Sequence, residues 1–350
     1  MDLDLLLGQA LERSITREEA LFLLQATQDD TEAAEKLFAA SREVRRRLTG
    51  DVFTFTGGIA SVLPCRLEPL CVYCPYWRKE DRRPLPVEAI VAGARYFREQ
   101  GVKAFHLSGG TTLGSEGLEV LNIVRHIWDA GLHDMQISVN CGAAMSIDTM
   151  RELKKMGVIS VGAVFEITNP AVFRQMKPGD NLERKQKFAW DIGESGLALG
   201  SGLMAGLGPE ESRLEDYVNS IFDVAQYPHL RSLYISKFTP DPLIPLRDKP
   251  ACSTQEAARF LAVARLVLRG IHITTAAGWT EEERLLGLQA GAGNTLFALA
   301  INLKVNYWKD RQRTATAVFE NIEYRDTRPQ KREAARHCGL TIQEPDLSNS

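Results

Sequence analysis

The chain has 350 residues, 44% of them hydrophobic and 25% charged, which is the balance of a folded protein with a sizeable core and excludes disorder away from the ends. A formal net charge of -3 sets up no broad basic field, so nucleic acid and anionic membrane surfaces are not expected partners and a small molecule is. Residues 1–9 have no basic region leading into an apolar run, and no stretch approaches the roughly 20 apolar residues of a spanning helix. The expected location is therefore the cytoplasm, where a tight cysteine cluster reads as metal-binding or catalytic before it reads as disulfides.

In chain order, residues 1–49 read as a helical N-terminal extension. Thr16 stands ahead of Glu18 and Glu19 as a cap, and Leu21, Leu23 and Leu24 supply an apolar stripe. From there β-rich runs alternate with longer amphipathic stretches, the mark of parallel βαβ units. Strands are expected over 52–59, 103–107, 135–139, 160–167, 198–204, 232–238 and 271–275, with a weaker eighth over 295–299. Helices are expected over 86–100, 117–130, 146–156, 181–195, 214–226, 254–269 and 280–289. This pattern makes the fold class α/β, a (β/α)8 TIM-type barrel over 50–308, whose functional groups belong at the carboxyl ends of the strands. Residues 309–350 read as a polar C-terminal tail or terminal helix.

Behind the first strand, on a βα loop at that functional end, lies Cys65-Arg-Leu-Glu-Pro-Leu-Cys71-Val-Tyr-Cys74. Three thiolates so close in sequence can converge on one metal centre. A structural zinc site wants four protein ligands, and the next cysteine is as far away as Cys141. Three cysteines on a cubane cluster leave one iron without a protein ligand, open to chemistry. A zinc-binding or non-catalytic metal scaffold is the alternative.

A triple cysteine after the first strand of an α/β barrel resembles the radical SAM superfamily. Its usual spacing is CxxxCxxC with an aromatic before the last cysteine, the place Tyr73 fills. Here the first gap is five residues, which costs little in loop closure. That CxxxxxCxxC form resembles the HmdB (HcgA) family, associated with the iron-guanylylpyridinol cofactor of [Fe]-hydrogenase.

The resemblance implies a 4Fe–4S cluster on Cys65, Cys71 and Cys74, and S-adenosylmethionine as cofactor. Ser108-Gly109-Gly110-Thr111-Thr112, after the second strand, looks like the superfamily's glycine-rich motif that receives the methionyl ammonium, although members often carry Glu where Thr111 and Thr112 stand; a tight turn is the other reading. The segment with Glu166, and Arg184 on the following helix, resembles the branch of biotin synthase, HydE and methylornithine synthase. It implies that Glu166 takes the ammonium and Arg184 the carboxylate, a planar donor suited to that group. Arg184 also reads as a solvated helix charge beside Arg174, Lys185 and Lys187. Met204 looks like part of the segment against adenine and equally like core filler. Tyr73 stacks on the base or covers the cluster. Ser138 and Asn140 end the third strand, facing ribose or substrate. His106 reads as a proton-transfer group or a structural histidine, and Trp279 as a pocket wall. Cys141, Cys252 and Cys338 read as buried small residues, with a second metal centre as the other reading.

What this implies for activity is reductive cleavage of S-adenosylmethionine to methionine and a 5′-deoxyadenosyl radical, driven by a one-electron donor such as ferredoxin or flavodoxin. The radical then acts on a small-molecule substrate. A precursor of the pyridinol cofactor is the first expectation, and an amino-acid or sulfur-containing substrate, as in HydE- or methylornithine-synthase-like enzymes, the second.

Overall fold

The computed structural model describes residues 1–78, 83–293, 295–303 and 322–343. Three helices come first: α1 (Leu3–Ala10), α2 (Arg17–Ala26) and α3 (Thr31–Thr49). Each starts on a side-chain cap, from Asp2, Thr16 and Asp30 respectively. At Thr16 the cap is reciprocal: the Glu19 N–H donates to Thr16 Oγ1 at 3.3 Å, and the Thr16 N–H to Glu19 Oε2 at 2.7 Å. Helices α2 and α3 pack on later helices of the barrel wall, and α1 packs on α2 and α3. There the Ser41 hydroxyl donates to Ala290 O at 2.8 Å and Arg269 donates to the carbonyls of Ala10, Leu11 and Arg13.

The barrel strands are β1 (Val52–Ile59), β2 (Ala104–Ser108), β3 (Gln136–Asn140), β4 (Val158–Gly162), β5 (Ala198–Ala205), β6 (Leu230–Lys237), β7 (His272–Thr275) and β8 (Thr295–Leu303). Between them lie α4 (Val87–Glu99), α5 (Leu118–Asp129), α6 (Ile147–Lys155), α7 (Pro170–Met176), α8 (Leu182–Glu194), α9 (Arg213–Ala225), α10 (Thr254–Leu268) and α11 (Glu283–Gln289). Pairing runs β7-β6-β5-β4-β3-β2-β1-β8, all parallel. Across the β7/β8 seam the Gly293 N–H donates to Ile273 O at 2.5 Å.

Strand alternation separates two environments. Outward, Phe105 meets Phe97 of α4 with ring centroids 5.8 Å apart, and a Cβ on Gly57 would fall 2.7 Å from the Phe97 ring. Phe97 is fully buried, so Phe97→Ala is expected to cost roughly 3–5 kcal/mol. Inward, a Cβ on Gly58 would fall 2.6 Å from the His106 imidazole and 2.4 Å from the Phe297 ring. The hydrophobic core thus sits between strands and helices, and on the inner face the His106 imidazole and the Phe297 ring crowd Gly58.

Three elements depart from the sequence expectation. The fourth strand, expected to run to residue 167, ends at Gly162, and the chain returns to the sheet in a single bridge between Glu166 and Leu203. Glu166 has φ 67°, a left-handed turn that breaks extended geometry. Helix α7 was not expected, although Asn169 caps it and Pro170 opens it. The third concerns residues 309–350, expected as a polar tail or terminal helix, where a helix is present but two strands accompany it. The described part of this segment folds back as β9 (Ile322–Asp326), antiparallel to β8, then α12 (Arg328–His337) and β10 (Thr341–Ile342), which pairs with β1. Buried Tyr324 meets Tyr96 edge-on at 5.1 Å, and Arg328 pairs with Asp326 at 2.6 Å and donates to Gln100 Oε1 at 2.8 Å, which is where the charge of the segment goes. Residues 309–321 and 344–350 of that segment lie outside the described residues.

Candidate active site

The cysteine loop leaves the carboxyl end of β1 and is laced to the loop after β2. The Val62 N–H donates to Ser108 O at 3.1 Å, Gly110 N–H to Leu63 O at 2.8 Å, and Arg66 N–H to Thr111 O at 2.9 Å, while Thr112 Oγ1 reaches Pro64 O at 3.4 Å. Gly109 ties the pair to β3 through its N–H on Asn140 O, 3.0 Å away. The glycine pair is required by this contact, because a Cβ on Gly110 would lie 2.1 Å from Cys65 N and 2.3 Å from its Cα. On its other side the cysteine loop rests on the turn after α7. There the Val72 N–H donates to Met176 O at 2.9 Å, and a Cβ on Gly179 would strike Pro69 O at 2.3 Å. Arg78 clasps the loop from within, donating to Cys71 O at 2.9 Å, Leu70 O at 3.2 Å and Cys74 O at 3.1 Å.

Cys65, Cys71 and Cys74 are free and half-buried. Their charges act on one another: Cys65 bears on Cys71, and both bear on Cys74. Burial pushes the Cys74 thiol up to about 11. It raises Cys71 as well, with Lys177 pulling the other way and the buried Tyr73 side chain as a hydrogen-bond partner. Among the described residues, no three His, Cys, Asp or Glu side chains close on a point as one metal ion requires. Thiolates that would each bind a separate iron of a cubane need not converge on one point.

Glu166 is held by its backbone, with its N–H on Gly202 O at 2.8 Å and its own carbonyl accepting from Met204 N at 2.9 Å. Its carboxylate bears electrostatically on both Cys74 and Tyr73. Burial raises its pKa, and Lys177 and Lys185 offset part of that. Its Oε2 is buried and has no hydrogen-bond partner. Such a group costs stability unless something supplies a donor.

Arg184 sits in the first turn of α8, its N–H capped by Asn181 Oδ1 at 2.8 Å. Its Nη2 meets Asp180 Oδ1 at 2.9 Å and its Nε is buried without a partner. Asp180 also meets Lys185 at 3.0 Å and Lys177 at 3.8 Å, and its side chain is 1% exposed. Burial would raise Asp180, but Lys185 and Lys177 outweigh it and hold the carboxyl at about 2.

The other expected positions divide between lumen and wall. His106 projects inward against Phe297, ring centroids 5.1 Å apart, and burial pulls its pKa down to about 4, so the imidazole is neutral. Ser138 accepts from the Ser160 hydroxyl at 2.7 Å, and the Asn140 side chain occupies the space over Gly162. Met204 is buried at the end of β5. Trp279 is corrected from pocket wall to core: it is 1% exposed, with its Nε1–H on Ile235 O at 2.9 Å. Cys141 and Cys252 are buried and both pushed up by burial to about 12.

Residues 65–221 match the model of the Radical SAM superfamily. The chain is 26% identical over 300 residues to an uncharacterized protein of Methanocaldococcus jannaschii, covering 83% of this chain and 77% of that one. It is 26% identical over 274 residues to the [FeFe] hydrogenase maturase subunit HydE of Thermotoga maritima, covering 76% and 75%. Residues 65–221 form a radical SAM domain. Its fold matches the crystal structure of methylornithine synthase (PylB), with a TM-score of 0.76 over 97% of each chain at 17% identity. The cofactors of the superfamily are a 4Fe–4S cluster and S-adenosylmethionine.

Around this site, sequence reasoning passed over Arg78, Lys177, Asp180 and Gly179. Lys177-Pro178-Gly179-Asp180 falls between the fourth expected strand and the helix expected from 181, and only the fold brings it beneath the cysteine loop.

Proposed function

We propose that Cys65, Cys71 and Cys74 hold the 4Fe–4S cluster, that Glu166 receives the ammonium of S-adenosylmethionine and that Arg184 receives its carboxylate. The observation that carries this reading is the buried, partnerless Oε2 of Glu166, a carboxylate acceptor in electrostatic contact with Cys74. The donor set suits both groups: three thiols that sense one another, an unmet acceptor for an ammonium, and a guanidinium with an unmet buried Nε. One electron delivered to the sulfonium through the bound cluster supplies the cleavage chemistry. Within the chain, Gly109 and Gly110 let the cofactor approach backbone, Ser108 and Thr111 supply neighbouring polar groups, and Tyr73 and Met204 form apolar cover. Ser138 borders the same space from β3. Beside Phe297 in the lumen, a neutral His106 offers one ring nitrogen as hydrogen-bond donor and the other as acceptor.

The first substrate we infer is a precursor of the pyridinol ring in the iron-guanylylpyridinol cofactor, supported by the five-residue gap between Cys65 and Cys71. Similarity to HydE over three quarters of each chain favours a second reading, a HydE- or PylB-like reaction on a sulfur-containing compound or an amino acid. The electron donor is a ferredoxin or flavodoxin. The test is anaerobic reconstitution followed by assay of methionine and 5′-deoxyadenosine. Wild type is expected to form both and Cys71→Ser to form neither; equal yields from the two would remove the ligand assignment. Mass spectrometry of substrate-derived products then separates the two substrates.

A further inference from the structure

The turn beneath the cysteine loop carries more positive charge than its own carboxylate can balance. Lys177 and Lys185 are both buried, at 5% and 2% exposure, and with Arg184 they converge on the single carboxylate of Asp180. Burying an ammonium without a full partner is costly, and Lys185 shows it, its pKa drawn down to about 8 by burial and then by Lys177. A hydrophobic pair of the same volume would serve packing at least as well. Asp180 and Glu166, which feels both lysines, set two carboxylates against three cations, so one positive charge is left for a further anion.

Position says which anion. Lys177 donates to Val164 O at 3.1 Å and lies over the Phe173 ring at 5.4 Å, so its head is fixed between the end of β4 and α7. Its neighbours Met176 and Gly179 hold the cysteine loop directly, through Val72 N–H and against Pro69 O. Lys177 acts on the charge of Cys71, and Cys71 acts on Lys185. Glu166 feels both lysines. The cations are thus tied by backbone contacts to the loop that bears the thiolates and cannot drift from it.

Resting on the cluster assignment above, we propose that Lys177 and Lys185, braced by Asp180, are positioning residues that place buried positive charge beside the Cys71 corner of the cluster and so ease its one-electron reduction. Reduction adds a negative charge in a desolvated site. A fixed cation nearby stabilises the reduced form more than the oxidised one, and the low local dielectric enlarges the difference. The electron comes from an external one-electron donor, and no bond is formed or broken in this step.

The test is an anaerobic redox titration of the reconstituted protein, followed by electron paramagnetic resonance, with iron content and circular dichroism measured alongside. Lys177→Met is expected to fold, keep its iron and become about tenfold harder to reduce, ~59 mV more negative for a one-electron couple. Lys177→Arg stays near wild type, and Lys177→Met/Lys185→Met moves further in the same direction. A merely structural role predicts loss of iron without a shift in potential, so an unchanged potential in iron-loaded Lys177→Met overturns the proposal. Should the Met variants fold and take up no iron, uptake by Lys177→Arg supports the need for a cation, and equal failure of the Arg variant overturns it. Absence of any cluster in wild type would instead count against the cluster assignment itself.

Discussion

Two carboxylates stand at the carboxyl ends of the barrel strands and live in opposite circumstances. Glu283, at the start of α11, accepts from Lys237 Nζ at 2.5 Å, Thr254 Oγ1 at 2.6 Å and Thr280 N at 2.8 Å. Burial would raise its pKa, but Lys237 and Thr254 outweigh it and hold the group at about 2. Glu166, after β4, is raised by burial and has an oxygen with no partner. The first is a strut joining β6, α10 and α11. The second has the form of a receptor, since its satisfaction has to come from outside the chain. Buried charge alone does not mark a site; buried charge left incomplete by the fold does.

The comparison breaks most completely if the loop facing Glu166 is displaced. Gly110→Ala puts a methyl 2.1 Å from Cys65 N, where backbone has to move, so iron uptake on reconstitution is expected to fall at least tenfold. Retention of a full cluster would show that the glycine contact is dispensable. Next in size, Glu166→Ala is expected to weaken S-adenosylmethionine binding roughly 10- to 100-fold, the worth of a charge-assisted hydrogen bond of about 1.5–3 kcal/mol, while Tm stays level or rises. Calorimetric titration and a thermal scan read both. Glu283→Gln should reverse the pattern, costing about 1–3 kcal/mol of stability and leaving cofactor affinity unchanged.

The smallest effect is in pH dependence. The depressed pKa of Glu283 means its stabilisation is complete above about pH 4.5 and is lost as pH falls toward 2. Glu166 has the opposite sign: its raised pKa costs stability at neutral pH, and that cost disappears as pH falls through its folded value toward 4.5. Denaturant midpoints against pH should therefore flatten at the acid end in Glu283→Gln. Glu166→Gln should be stabilised most near neutrality, and a uniform gain at every pH would argue against a strained carboxylate.

Much of this was legible in the chain. The eight barrel strands fall where β-rich runs alternate with amphipathic stretches, and the Thr16 cap and the cysteine spacing are local signals that tertiary structure did not override. Glu166 could be placed at a strand end, but its left-handed φ could not, because nothing local demands it of a glutamate. Lys177 and Asp180 were illegible for a different reason. Lys177 bonds Val164, and the turn that carries both meets a loop about a hundred residues earlier through Met176 and Gly179, contacts that no periodicity encodes. Trp279 misled because an indole near a strand end reads as a pocket wall until its N–H is seen to be spent on Ile235.

The central claim is that three thiols and an unmet carboxylate share one cofactor site. The most direct measurement is the electron paramagnetic resonance spectrum of the anaerobically reconstituted, reduced protein before and after addition of S-adenosylmethionine. The expected result is a cluster signal that changes on addition in wild type and does not change at the same concentration in Glu166→Ala. A signal indifferent to the cofactor in wild type, or zinc bound stoichiometrically by the three cysteines, would contradict it.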